Sequence, residues 1–227
     1  MRRPIIPVRF IPPVVGTLAF ALVALAGPVR AAGPAVIVLP TTGEVDGVMA
    51  QYLADGIARA EREGAPAVLV ELNTPGGSLD ATQKITGAFL EASVPVIVWV
   101  SPAGGRAASA GTFMTLAANL AYMAPGTNIG AASPIGSGGE DIPGTLGVKV
   151  KNDAIANISS IAQARGRPVD WAASTVSDAK SYSAEQAVAA GAVDGIAATE
   201  SDVLAAANGK TVTVAGGRSV TLTLAGA

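Results

Sequence analysis

A serine surrounded by very small residues is the first candidate for chemistry in this sequence. Ser109 lies in the stretch GGRAASAGT (104–112), after an apolar segment and at the predicted start of a helix. The N–H groups at a helix N-terminus stabilise negative charge, which favours an alkoxide or oxyanion there. Ser109 is therefore a candidate nucleophile, although a serine at this position also suits an ordinary helix cap.

The proton of a serine nucleophile needs an acceptor, and the chain contains no histidine and no cysteine. This composition excludes a Ser-His-Asp triad, a thiol nucleophile, a disulfide, and zinc or copper sites with their usual ligands. No acidic cluster has the spacing of a calcium loop, so we predict neither a metal ion nor another cofactor. Lysine, in its uncharged form, is the remaining base for a serine.

Two of the five lysines lie where a glycine-rich segment gives way to a predicted helix. Lys149 and Lys151 would project about 200° apart on that helix, so at most one of them faces the serine. An uncharged amine requires a dry environment, and we expect Val148 and Val150 to line an apolar pocket that provides it. The other lysines lie on a helix surface, between polar turns and beside a terminal hairpin: Lys84, Lys180 and Lys210.

A glycine pair follows a predicted strand in the segment NTPGGSLD (73–80). Open α/β sheets bind ligands at the carboxyl ends of their strands, and glycine lets backbone N–H groups approach a ligand closely. We expect the N–H groups of Gly77 and Ala110 to point at one oxygen and to form an oxyanion hole. Taken alone, the glycine pair is equally consistent with a plain strand-to-helix turn.

Short apolar segments alternate with segments of helical spacing over the first half of the chain. The predicted order is strand 35–40, helix 44–62, strand 67–72, helix 79–90, strand 94–100, helix 107–118 and strand 121–125. One face of the first helix is expected to carry Val45, Val48, Met49, Leu53 and Ile57. Such alternation predicts βαβ units and a parallel sheet covered on both faces.

The pattern changes after residue 132. Residues 133–147 are rich in glycine and lack periodicity, which predicts a loop. Helical spacing returns over 149–165 and ends at Gly166. The predicted later elements are short helices near Trp171 and at 184–190, a strand at 192–198, a helix capped by Ser201, and a hairpin around Gly216 and Gly217.

The first 31 residues have the features of a secretory signal peptide. Arginines precede an apolar stretch at 11–27, and small residues suit cleavage after Ala31. We therefore expect an exported protein, periplasmic or extracellular, with a single domain over 32–227. The alternative is an uncleaved N-terminal anchor that associates the protein with a membrane. Because no basic cluster follows the first ten residues and the net charge is −2, nucleic acid is a poor partner.

Three segments together resemble a known family: ELNTPGGSLDATQKI, GGRAASAGTFMTLAANLAYMAPGTNIGAASPIG and KVKNDAIANISSIAQARGR. They are similar to NfeD-type membrane-associated serine proteases of the Clp-protease/crotonase superfamily, over about residues 35–220. The resemblance implies an α/β fold of the ββα spiral type, with a mainly parallel sheet and a C-terminal β-hairpin. Longer members continue into transmembrane helices and a small β-barrel domain, so we expect this chain to be a short or truncated version.

The resemblance also implies roles for particular residues. Ser109 matches the nucleophile, Lys149 matches the base better than Lys151 does, and Gly77 and Ala110 match the oxyanion donors. Family members dimerise and favour hydrophobic polypeptide segments, notably near the C-terminus of stomatin-like membrane proteins. A hydrophobic peptide or membrane-protein substrate and a homodimer or larger homo-oligomer are therefore expected.

Three other functions remain compatible with the sequence. The fold could serve as a non-catalytic module that binds apolar peptides or a membrane-protein partner. A protease of the signal-peptide-peptidase type would need a differently placed lysine. An acyl-CoA enzyme of the crotonase type would use a similar oxyanion hole, but it normally employs carboxylates and a basic pocket for the CoA phosphates.

Overall fold

The computed structural model describes residues 35–136 and 138–225, so the predicted signal peptide lies outside the described residues. The main elements, in chain order, are β1 (Ile37–Thr42), α1 (Gly47–Glu63), β2 (Val68–Asn73), α2 (Leu79–Glu91), β3 (Val96–Val100), β4 (Arg106–Ala108), α3 (Ala110–Ala117), β5 (Leu120–Met123), β6 (Asn128–Gly130), α4 (Gly144–Ala164), α5 (Val169–Ser177), β7 (Ser181–Ser183), α6 (Ala184–Ala189), β8 (Gly195–Ile196), α7 (Glu200–Ala207), β9 (Thr211–Val214) and β10 (Arg218–Thr221). Among these helices none is both long enough and apolar enough to cross a membrane.

A five-stranded sheet in the order β1-β2-β3-β5-β8 forms the centre of the molecule, and all its neighbouring strands are parallel. Its central strand β3 is buried along its whole length, as expected for an apolar run covered on both faces. One face packs against α1 to α4. The other face is covered by α7 and the β9–β10 hairpin. The predicted α/β architecture and the predicted terminal hairpin are thus confirmed.

A second, three-stranded sheet was not predicted. It consists of β4, β6 and β7, with β4 and β6 parallel and β6 and β7 antiparallel. Each strand has only three residues, too few for an apolar alternation to be visible in the sequence. A single bridge between Thr74 and Ala107 joins this sheet to the end of β2, so β4 is attached directly beside the glycine pair.

Four predicted helix starts are wrong. Two helices begin three residues later than predicted: α1 begins at Gly47 rather than at 44, and α3 begins at Ala110 rather than at 107, because Ala107 and Ala108 belong to β4. The helix α4 begins at Gly144, inside the segment predicted as a loop, and its Pro143 cap makes no side-chain hydrogen bond that the sequence could have signalled. The cap of α7 is Thr199 rather than Ser201, because Thr199 and Asp202 exchange side-chain hydrogen bonds in a capping box. A helix starting at residue 149 would have Lys149 in its first turn, whereas Lys149 lies in the second turn of α4.

A half-buried arginine ties together the helices that begin near the candidate site. The Arg165 guanidinium donates to Ala117 O at 2.7 Å and Phe89 O at 2.8 Å, which belong to the last turns of α3 and α2. It also donates to Thr213 O of β9 at 3.2 Å. A cation near the C-terminal carbonyls of a helix is favourable, so this side chain holds α2, α3 and the hairpin together.

Candidate active site

Ser109 occupies a sharp turn between β4 and α3. Its backbone has φ 52° and ψ −114°, a conformation that residues other than glycine rarely adopt. The Ser109 N–H donates to Gly130 O at 2.8 Å, which fixes the turn against β6. Its half-buried hydroxyl makes no helix-capping hydrogen bond, so the side chain is not occupied as the ordinary helix cap considered above.

The glycine pair lies directly against this serine. A Cβ atom built on Gly76 would stand 2.6 Å from Ser109 Cβ and 3.1 Å from Ser109 Oγ. Gly76 also has φ 115°, which an L side chain rarely adopts. Glycine is therefore required at position 76 both by the backbone and by the close approach. The fold brings together the two sequence segments that we expected at one edge of the sheet.

Two backbone N–H groups next to the Gly76–Ser109 contact have no hydrogen-bond acceptor among residues 35–136 and 138–225. Val45 N–H donates to Gly76 O at 2.9 Å and Ser78 N–H donates to Val45 O at 2.8 Å, so the intervening Gly77 N–H points away from this pairing. The Ala110 N–H belongs to the first residue of α3 and has no intrahelical acceptor. Both N–H groups are therefore candidates for donation to a bound oxygen.

Lys149 lies in the second turn of α4, where its side chain is exposed. It forms no salt bridge and no hydrogen bond with Ser109 in the described part of the chain. Of the two valines expected to line an apolar pocket, Val148 is 60% exposed, whereas Val150 is half-buried and lines a small cavity with Leu79 and Phe113. Leu146 is also 63% exposed. The first two turns of α4 extend beyond the core, and the first buried residue of this helix is Ala154.

Lys151 is also exposed. The hydrogen bond from Lys180 is the main cause that lowers the pKa of the Asp178 carboxyl, directly after α5, and the positive charge of Lys151 contributes to the same shift. Because the two lysines project about 200° apart, Lys149 leaves α4 on a different side.

The sequence did not predict an open groove beside α1. Its volume is about 480 Å³, and it lies between the end of β1 and the first turns of α1. Val48 was predicted to face the core, but it is 77% exposed and lines this groove with Met49 and the 41% exposed Tyr52. Val45, whose backbone bonds to the glycine loop, connects the groove to the candidate site. The remaining lining residues are Pro40, Thr41, Thr42, Glu44 and Asp46.

Comparison with known sequences gives one family and two relatives. The model of the NfeD1b N-terminal domain matches residues 35–215. The membrane-bound protease PH1510 of Pyrococcus horikoshii is 37% identical over 161 residues, a match covering 66% of this chain and 35% of that protein. The membrane protein NfeD1b of Bacillus subtilis is 33% identical over 98 residues, covering 43% and 22%. This chain thus spans about a third or less of these curated relatives.

Comparison with solved structures gives the same group. The 1510-N membrane-bound stomatin-specific protease with a serine-to-alanine substitution matches with TM-score 0.77 and 33% identity, over 84% of this chain and 94% of that one. A lysine-to-alanine form in complex with a substrate peptide matches with TM-score 0.77 and 32% identity, over 84% and 89%. ClpP1 of Listeria monocytogenes, at TM-score 0.58 and 20% identity over 73% and 94%, shares the fold alone.

Proposed function

This chain belongs to the NfeD1b N-terminal domain family, and on that premise we propose that it is a serine endopeptidase with a Ser-Lys dyad. The observation that carries the proposal is the contact between Gly76 and Ser109. The chain neighbours of these two residues, Gly77 and Ala110, have backbone N–H groups without an acceptor among the described residues, which supports the proposal. An acyl-transfer site needs a nucleophile and oxyanion donors in this relation.

The proposed reaction proceeds through an acyl-enzyme. Ser109 Oγ attacks the scissile carbonyl carbon while the uncharged Lys149 amine takes the hydroxyl proton. The oxyanion accepts hydrogen bonds from the N–H groups of Gly77 and Ala110. The C–N bond then breaks, and the lysine ammonium returns the proton to the leaving amine. Water, deprotonated by Lys149, attacks the resulting ester, which frees the acid product and restores the Ser109 hydroxyl.

Lys149 is solvent-exposed here, so the proposal requires that bound substrate excludes water from it. A polypeptide lying along the first turns of α4 would cover Leu146 and Val148, whose exposure otherwise leaves apolar surface in water. Removing water favours the uncharged form of an amine. We therefore propose that the substrate itself completes the dry environment that the sequence had led us to expect from the protein alone.

The proposed substrate is an apolar segment of polypeptide. Three of the helices carry exposed large apolar side chains that such a segment could cover, namely Val48 on α1, Leu79 on α2 and Leu146 on α4. The relative 1510-N is described as specific for stomatin, and we extend this to a stomatin-like membrane protein as the partner here. Cleavage by a homodimer or larger homo-oligomer, exported and associated with the membrane, is part of the same proposal.

Labelling with a fluorophosphonate tests the chemistry directly. The reagent phosphonylates an activated serine and releases fluoride, so we expect one adduct, located on Ser109 by mass spectrometry of the digested protein. Heat-denatured protein, in which the site is lost, should not react. A folded protein without any adduct, or with its adduct on another serine, would contradict the proposal and favour a peptide-binding module.

The groove beside Val45 leads to a prediction about substrate affinity. Val48→Asp places a charge where an apolar substrate side chain would be buried, a contact whose loss costs about 1.5 kcal/mol or roughly tenfold. We expect KM for an apolar peptide to rise about tenfold with kcat little changed. Steady-state kinetics with a fluorogenic apolar peptide measure this.

Val169→Asp is the matched control, since Val169 is an exposed valine on α5, outside the groove. It should retain the wild-type KM. Equal kinetics for Val48→Asp and wild type would show that the groove does not bind substrate.

A further inference from the structure

We propose that Thr74 is a positioning residue whose hydroxyl fixes the direction of the Gly77 N–H, one of the two proposed oxyanion donors. The inference rests on the proposed function and adds a residue that the sequence did not single out. Thr74 follows β2 directly and is fully buried, with 0% exposure. It does not touch the position of the reacting carbonyl, so its effect must pass through the backbone that it holds.

The hydroxyl acts on the glycine loop. Thr74 Oγ1 accepts a hydrogen bond from Gly76 N–H at 3.0 Å. The next residue along the chain is Gly77, the first proposed donor. Without that bond the buried Gly76 N–H has no acceptor, and an unpaired buried donor is costly. The native direction of the adjacent Gly77 N–H therefore depends on the Thr74 hydroxyl.

The rest of Thr74 is attached to the other side of the site. Its N–H donates to Arg106 O at 2.8 Å, and its carbonyl accepts from Ala108 N–H at 3.1 Å, immediately before Ser109. Its methyl group packs on α3, because a Cβ atom at Gly111 would stand only 2.6 Å from Thr74 Cγ2. Gly111 directly follows Ala110, the second proposed donor.

One buried side chain thus reaches within one residue of both oxyanion donors. It contacts Gly76, the neighbour of Gly77, through a hydrogen bond, and Gly111, the neighbour of Ala110, through packing. Small displacements of preorganised donors weaken stabilisation of the transition state while leaving substrate binding nearly intact. Thr74 is in this sense a positioning residue.

The test compares Thr74→Val with Thr74→Ser. Valine keeps the shape and the methyl contact but removes the hydroxyl, whereas serine keeps the hydroxyl and removes the methyl. We expect Thr74→Val to slow fluorophosphonate labelling of Ser109 by about 10- to 100-fold, less than the loss of a whole donor. KM for an apolar peptide should stay at the wild-type value, and Thr74→Ser should label close to the wild-type rate.

Thr175→Val is the matched control for loss of a buried hydroxyl. Thr175 is also 0% exposed, and its hydroxyl donates to Ala172 O at 2.7 Å within α5. Thermal unfolding should show a similar loss of stability, but labelling should remain at the wild-type rate.

Three outcomes would overturn the inference. Unchanged labelling of Thr74→Val, or equally slow labelling of Thr74→Ser, would show that the hydroxyl does not set the donor geometry even though the enzyme reacts. If Thr74→Val does not fold, the labelling rate of Thr74→Ser decides the question. Slow labelling of this variant, which keeps the hydroxyl, would contradict the proposal. Failure of the wild-type protein to label would instead overturn the proposed function, and the role of Thr74 with it.

Discussion

Ser109→Ala is expected to lower kcat/KM for peptide cleavage by about a millionfold, the scale on which a serine protease loses its nucleophile. The residual rate comes from the oxyanion donors, which remain in place. Alanine is compatible with the unusual backbone at this position, since Ala131 and Ala179 adopt φ 50° in the same chain. The variant should therefore fold normally and bind an apolar peptide with the wild-type Kd.

Ser160→Ala provides the matched control. Ser160 lies on the exposed surface of α4, where its hydroxyl bonds only to Ala156 O of the same helix. This variant should cleave at the wild-type rate. Chromatography of the products of peptide cleavage measures the activity of the two variants. Substantial turnover by purified Ser109→Ala would show that Ser109 is not the nucleophile.

The second large effect is expected for Lys149→Met, which keeps the length of the side chain and removes the amine. General-base catalysis contributes about 10²- to 10⁴-fold, so we expect kcat to fall by about a thousandfold. Because Lys149 is exposed and forms no salt bridge among the described residues, the melting temperature should hardly change. Loss of activity in a stable protein would identify a chemical role.

The proposed role of Lys149 also predicts the direction in which kcat/KM changes with pH. The lysine acts as a base only after it has lost its proton, so wild-type kcat/KM should rise with pH through that ionisation. In Lys149→Met this rise should disappear, whereas Lys151→Met should keep both the rate and the profile. If Lys151→Met loses activity and Lys149→Met does not, the base has been assigned to the wrong lysine.

The parts of this molecule that follow from the sequence are those with strong local patterns. Buried strands such as β3 are continuous apolar runs, and parallel pairing brings their carboxyl ends to one edge. This topology brings the glycine loop after β2 and the segment after β3 to one region, where Gly76 meets Ser109, although Ser109 directly follows the unpredicted strand β4. The close approach of Gly76 to Ser109 follows from the same topology.

Other features depend on tertiary contacts that leave no local signal. The three-residue strands β4, β6 and β7 are held by pairing between distant segments, including the bridge from Thr74 to Ala107. Val48 lies on the side of α1 opposite its buried residues Leu53 and Ile57, so the side chain is exposed. Lys149 was placed near an expected pocket from sequence proximity alone, and proximity in sequence does not determine solvation.

The backbone turn at position 109 also decides which alcohol the fold can use as a nucleophile. At φ 52° a side chain branched at Cβ is strongly disfavoured, and Gly76 occupies the space beside the Cβ atom. Threonine, a secondary alcohol, is thereby excluded, while the primary alcohol of serine fits. Cysteine has the same unbranched shape, so exchange of oxygen for sulfur is open to this scaffold, whereas exchange of serine for threonine is not.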